Sequence, residues 1–183
     1  MNRCQWNYKG EKVYYDYHDT EWGIPVYDDH KLFEMLLLES FQAGLSWLTI
    51  LKKREAFRKA FADFDVYQVA NFDTDKYHEL INNADIIRNK LKIKAAINNA
   101  KIFIEIQKEY KTFANYIWSF TDYHSLSGPQ YSQMVSNQLS DQVSNDLKKR
   151  GMKFVGTVII YSYLAAIGVI NAHDVNCDKY NSK

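Results

Sequence analysis

The sequence predicts an all-α fold, and three observations carry that expectation. Ile93, Ala96, Ile97, Ala100, Phe103, Ile104 and Gln107 recur at the i, i+3, i+4, i+7 spacing of a long amphipathic helix. Capping residues and glycines punctuate the chain at helical intervals. No segment shows the sustained apolar–polar alternation of a sheet, and no internal repeat is visible.

The elements follow in order. Asp28 and Asp29 precede an apolar run from His30 to Leu38, placing acids at the positive end of a helix. Gly44 interrupts, and Leu45 to Phe61 reads as a second helix ending in basic residues. Asp73 is suited to cap a helix through Leu80 and Ile81. The long helix comes next, then a shorter one from Phe113 to Phe120. Residues 123 to 140, polar and carrying Gly128-Pro129 and several serines, read as the main loop.

Ser140 or Asp141 is then expected to cap a helix running to Arg150, with Gly151 stopping it and cations in its last turn. Met152 to Val155, Gly156 and the apolar helix Thr157 to Ala166 complete a helix, a Gly-x-x-x-x-Gly turn and a helix. This is either an ordinary helix connection or a backbone-binding turn. In the second case Gly151 and Gly156 leave N–H groups uncovered for a phosphate, with Lys153 alongside.

Length and composition set outer bounds. A chain of 183 residues can bury a core as one domain or two small lobes, and 46% hydrophobic with 25% charged residues is globular rather than disordered. Met1 to Trp6 lacks the apolar stretch of a signal peptide, and Val155 to Ile170 is too short and interrupted to span a bilayer. A soluble, cytoplasmic protein with no membrane partner is expected, and nothing suggests more than a monomer. The net charge of +1 does not argue for nucleic acid. Its distribution is uneven: Lys52-Lys53-Arg54 with Arg58-Lys59, then Arg88, Lys90, Lys92 and Lys94, then Lys148-Lys149-Arg150 with Lys153. Each cluster reads as a solvated helix face or as a contact for phosphates.

Chemistry concentrates near the N-terminus. Ten of the first 47 residues are aromatic, against 18 of the remaining 136. Trp6, Trp22 and Trp47 lie there with Tyr8, Tyr14, Tyr15, Tyr17 and Tyr27, and Glu39 is a lone acid in an apolar run. Ring faces and one carboxylate suit a flat, electron-poor ligand with N–H groups. The competing reading is an aromatic core edge with Glu39 turned to solvent. The only two cysteines are Cys4 and Cys177. His173-x-x-x-Cys177 has a spacing that aims two ligands at one metal, and Cys4 with His18 would complete a Cys2His2 set. A Cys4–Cys177 disulfide and two free thiols remain alternatives, the disulfide being disfavoured in a cytosolic protein.

Four stretches together carry a resemblance: Cys4 with Trp6; Tyr14 to Gly23; Leu32 to Arg54, including Gln42-Ala-Gly-Leu-Ser-Trp47 and Leu51-Lys-Lys-Arg54; and Lys148 to Ser162. They resemble the constitutive bacterial 3-methyladenine DNA glycosylase I family, within the helix-hairpin-helix superfamily of base-excision glycosylases. The resemblance runs from Arg3 to about Cys177 and is weakest in the loop 123 to 140.

The resemblance implies a helix-hairpin-helix glycosylase-like helical fold, one glycosylase domain over 1–183 of two helical lobes with its hairpin at about 141–167. It implies a structural zinc ion on Cys4, His18, His173 and Cys177, joining the N- and C-terminal segments. It implies a base pocket of Trp6, Tyr14, Tyr17, Trp22 and Trp47 around Glu39, the residue expected to serve catalysis. DNA backbone is expected at Gly151, Lys153 and Gly156. Gly44-Leu45 is expected at the gap left in the duplex, with Leu45 as wedge.

The implied reaction is extrusion of 3-methyladenine from alkylated double-stranded DNA and hydrolysis of its glycosidic bond, with free 3-methyladenine as product ligand. Strand-cleaving relatives carry a nucleophilic lysine just after the hairpin. Thr157 and Val158 stand there, so no lyase step is expected. Asp174 lies near the position of the superfamily's aspartate but is not assigned a catalytic role. Ser40 replaces a family glycine, and its hydroxyl is expected to bond Glu39 or to crowd the pocket. Leu91 replaces another, which implies a more helical turn over Arg88 to Lys92. The rival of another class is a catalytically silent, zinc-containing helix-hairpin-helix DNA-binding protein. A zinc hydrolase is disfavoured because four protein ligands leave no open metal position.

Overall fold

The computed structural model describes residues 1–6 and 9–180; Tyr8, one of the expected aromatics, lies outside them. Nine α-helices appear among the described residues. They are α1 (Lys12–Thr20), α2 (Asp29–Gln42), α3 (Trp47–Ala60), α4 (Val66–Ala70), α5 (Thr74–Asn82), α6 (Lys90–Tyr110), α7 (Phe113–Ser119), α8 (Gln138–Lys149) and α9 (Thr157–Ala166).

Local chemistry sets most of their ends. Asp28, Ser46, Asp65, Asp73, Asn89, Thr112 and Asn137 each accept a backbone N–H at a helix start. Three expectations need correction. The second helix starts at Trp47, because Gly44 (φ +79) and Leu45 form a turn ahead of the Ser46 cap. The hairpin's first helix is capped by Asn137, and Ser140 completes a reciprocal capping box from inside the helix. The segment 123–140 is not one loop: it holds a 3-10 turn at Pro129–Gln133 and the strand β1 (Leu126–Ser127). That strand pairs in parallel with β2 (Ile170–Asn171), Leu126 opposite Ile170. Two-residue strands are too short to leave an alternation in the sequence.

The core forms where α2 lies buried between its neighbours. Every residue from Leu32 to Phe41 is buried, so the helix is covered all round, with α9 and α7 packed against it as well as α3 and α6. Asp29 ties three elements at its start, accepting Gln107 Nε2 and the Phe113 and Ala114 N–H groups, each at 2.8 Å. α8 packs on α9 across the hairpin, which Gly151 turns at φ +100. No described helix is long and apolar enough to cross a membrane.

Candidate functional site

Glu39 sits within the enclosed stretch of α2, only 3% exposed. Burial pushes its carboxyl up to about 8. Its Oε2 is buried without a hydrogen-bond partner. Helix α1 delivers Tyr14 and Tyr17 from one face, three residues apart. Burial and then the Glu39 charge raise both phenols. Trp47, the first residue of α3, lies 5.4 Å from Tyr17 at 51° between ring planes. Its indole Nε1 is also buried without a partner.

These side chains line a cavity of about 260 Å³, together with Trp6 and Trp22. The six expected pocket residues are therefore brought together. Tyr15 and Tyr27 lie elsewhere: Tyr15 faces Arg3, and Tyr27 stacks on Trp118 at 4.8 Å. Ser40 does not reach Glu39, because its hydroxyl donates to the Leu37 carbonyl one turn back.

The opposite wall comes from residues that carried no signal. Val158, Tyr161, Ser162 and Ala165 form one face of α9, and Tyr131 and Met134 reach in from the segment between α7 and α8. The Tyr161 hydroxyl donates to the Tyr131 carbonyl, fixing that segment over the cavity. α9 is apolar nearly all round, so its sequence does not say which face lines a pocket. The cue for Tyr131 and Met134 is tertiary: β1 and β2 carry them across from a distant part of the chain.

Cys4, His18, His173 and Cys177 are all buried, and their donor atoms lie within 4.8 Å of one another. Cys4 Sγ lies 3.4 Å from His173 Nδ1, and Cys177 Sγ lies 3.5 Å from His18 Nε2 and 3.6 Å from His173 Nδ1. A tetrahedral ion at ordinary metal–sulfur and metal–nitrogen lengths separates such atoms by about 3.5 Å. The donor set and its spacing thus fit a metal ion. Both thiols are free rather than joined as a disulfide. Burial pushes the Cys4 thiol up to about 12 and holds His173 down at about 4, so that thiol and that imidazole are neutral unless a cation enters. Asp19 Oδ1 lies 2.9 Å from His18 Nδ1, leaving Nε2 for the cluster.

Cluster and cavity share walls. Trp22 meets the His173 ring at 4.4 Å and Trp6 meets His18 at 5.0 Å, both edge-on. Gly23 makes the approach possible: it lies at φ +78, and a Cβ there would stand 2.6 Å from His173 Nε2.

The candidate DNA-facing residues lie apart from this cavity. Gly44 and Leu45 form an exposed tip between α2 and α3. Lys153 is exposed in the hairpin turn, and a Cβ at Gly156 would meet nothing within 4 Å. Leu91 lies in the first turn of α6, but Arg88 and the Asn89 cap ahead of it are not helical, so only Lys90 to Lys92 of the expected turn is helix.

Ring faces enclosing a lone buried acid, beside a buried Cys2His2 cluster on a helical frame, define a protein built to hold a flat heterocycle. Residues 6–180 match the model of the methyladenine glycosylase family, and the chain belongs to that family. It is 43% identical to the DNA-3-methyladenine glycosylase 1 of Escherichia coli (strain K12), over 98% of this chain and 97% of that one. It superposes on a crystal structure of 3-methyladenine DNA glycosylase I with TM-score 0.91 and 41% identity, covering 97% of this chain and 98% of the other. A structure of 3-methyladenine recognition by the Staphylococcus aureus 3-methyladenine DNA glycosylase I matches with TM-score 0.88 and 35% identity, over 95% and 94%.

Proposed function

We propose that this chain excises 3-methyladenine from alkylated double-stranded DNA; its relatives are named as 3-methyladenine DNA glycosylases. One observation carries the reading from the residues upward. Among the described residues only three buried side-chain atoms lack a hydrogen-bond partner, and two of them, Glu39 Oε2 and Trp47 Nε1, belong to residues lining the same aromatic cavity. A buried acceptor and a buried donor left open are costly unless a ligand completes them. An adenine edge offers an exocyclic amine to the acid and a ring nitrogen to the indole.

Adenine methylated at N3 carries positive charge in DNA, and a carboxylate among ring faces favours a cationic ring. Glu39 is the group we assign to hold the base during the reaction. Trp6, Tyr14, Tyr17, Trp22 and Trp47 enclose and stack on it. The glycosidic C1′–N bond breaks with its electron pair passing to the base, which leaves neutral. Water oxygen bonds to C1′, and its proton passes to solvent. No lysine lines the cavity among the described residues. This supports hydrolysis to an abasic site without a lyase step.

Leu45 is assigned as the wedge entering the gap in the duplex, Gly44 as the turn that presents it, and Gly151, Lys153 and Gly156 as the grip on the backbone. The metal is assigned as zinc, held by Cys4, His18, His173 and Cys177. Its contribution is structural, since four protein ligands close its coordination shell. The chain is read as one glycosylase domain acting as a monomer.

Release of base from methylated duplex DNA tests the assignment. Chromatography should show free 3-methyladenine and an intact strand until alkali is added. A silent DNA-binding module would bind the duplex and release nothing, and immediate nicking would overturn the hydrolytic step.

A further inference from the structure

Lys92 is 6% exposed on α6, an unusual place for an ammonium, and burial depresses its pKa. Its Nζ donates to the Phe41 carbonyl at 2.8 Å and to the Ala43 carbonyl at 2.6 Å. These carbonyls close the C-terminal end of α2, two residues after Glu39 and immediately before Gly44-Leu45. A cation there also meets the negative end of the helix. The same ammonium lies 5.9 Å from the ring centroid of Phe154, inside the hairpin turn.

The far side of the tip is fixed too. Ser46 caps α3 by accepting the Thr49 N–H, and the Leu45 N–H donates to the Gln42 carbonyl. Leu45 itself stays 39% exposed. The tip is thus held at both roots while its apolar side chain projects. A residue serving the core alone would not need a charged head on those two carbonyls.

We propose that Lys92 is a positioning residue for DNA engagement: it pins the root of the Gly44-Leu45 tip beside the hairpin, so that wedge and backbone grip meet the duplex in one fixed register. This rests on the reading of Leu45 as the wedge. It assigns Lys92 no contact with the base and no proton transfer.

A double-mutant cycle tests it, with single-turnover excision from methylated duplex as readout. Lys92→Met and Leu45→Ala should each slow excision about tenfold, and the double variant should be no slower than either, because the two residues act as one device. Calorimetry with free 3-methyladenine should give wild-type affinity for Lys92→Met, and Lys92→Arg should restore part of the lost rate. A double variant slowed about a hundredfold would show independent roles and overturn the proposal. So would unchanged excision in Lys92→Met, or an equal loss of free-base affinity. If Leu45→Ala alone leaves excision untouched, the wedge assignment itself fails and the proposal falls with it. Should Lys92→Met not fold, the same cycle is run on Lys92→Gln, with the same outcomes deciding.

Discussion

Asn99 holds Lys153 by both polar groups of its backbone. Asn99 Oδ1 accepts the Lys153 N–H at 2.9 Å, and Asn99 Nδ2 donates to the Lys153 carbonyl at 2.8 Å. One residue earlier, Asn98 Nδ2 donates to the Gly151 carbonyl at 3.0 Å. The hairpin turn therefore takes its shape from α6 as well as from its own glycines. Asn99→Ala leaves two backbone groups unpaired and should cost about 2 kcal/mol of stability, at roughly 1 kcal/mol per hydrogen bond. Duplex affinity should fall while free-base affinity holds. Calorimetric melting with fluorescence anisotropy checks both, and an unchanged duplex affinity would count against the turn as a DNA contact.

Reversing the charge at Lys153 isolates the backbone contact itself. Lys153→Glu should raise the dissociation constant for duplex DNA and flatten its dependence on salt by about one unit of slope. Binding of free 3-methyladenine should not change. Titrations at several salt concentrations decide it, and parallel loss of both affinities would point to misfolding.

The parts of this molecule that a linear reading reaches are those fixed within a turn or two. Asp28 and Asp73 cap where their neighbours say they should, and Gly151 ends α8 because its φ suits few other residues. Helix α1 gave no such signal. In Lys-Val-Tyr-Tyr-Asp-Tyr-His-Asp-Thr the inward residues are Tyr17 and His18, polar enough to hide the periodicity. The site was half legible for a similar reason. Glu39, Trp47 and the N-terminal rings stand out because an acid and aromatics are conspicuous in their context. Their role came from the family resemblance, which also favoured the metal set over a disulfide or free thiols; spacing alone offered it as one alternative, since Cys4 and Cys177 lie at opposite ends of the chain. The facing wall, Tyr131 and Tyr161, depends on long-range packing that no local pattern encodes.

Glu39 should leave a mark on the pH dependence of stability. Its folded carboxyl sits at about 8, against 4.5 for the ordinary group. Between those values the unfolded chain has released the proton and the folded chain still holds it. Stability contributed by the neutral acid is thus complete below about 4.5 and declines as pH rises to about 8, at up to roughly 1.4 kcal/mol per pH unit. Glu39→Gln should remove that decline and melt higher than wild type at pH 8. It should also bind free 3-methyladenine about tenfold more weakly, because an amide cannot ionise as the acid can when the N–H groups of the base enter. Melting curves from pH 5 to 8 with calorimetry check the pair, and parallel pH profiles would place the acid in solvent.

Removing one ligand tests the metal clip. Cys177→Ser should lose bound metal and lower the melting temperature by roughly 10 °C, because ion binding is coupled to folding. Single-turnover excision by the fraction still folded should change little. Elemental analysis of the purified variant gives the deciding number: metal content equal to wild type would remove Cys177 from the set.

Gly23 links that clip to the base cavity, and its replacement separates backbone strain from steric clash. Gly10 and Gly23 share the left-handed region, at φ +71 and +78, but a Cβ at Gly10 meets nothing within 4 Å. Alanine at either position costs about 1–2 kcal/mol in backbone conformation. At Gly23 the added carbon also stands 2.6 Å from His173 Nε2, with the backbone on both sides constrained. The Gly23 N–H donates to the Ala166 carbonyl at 3.2 Å, so the segment cannot simply retreat. The His173 ring must move instead, and Trp22, packed against it at 4.4 Å, moves with it. Gly23→Ala should therefore lose metal and free-base affinity together, whereas Gly10→Ala should lower melting temperature alone. Metal content and base titration of the two variants side by side check this. Wild-type metal content with weakened base binding in Gly23→Ala would mean that the cavity wall responds to the backbone and not to the cluster.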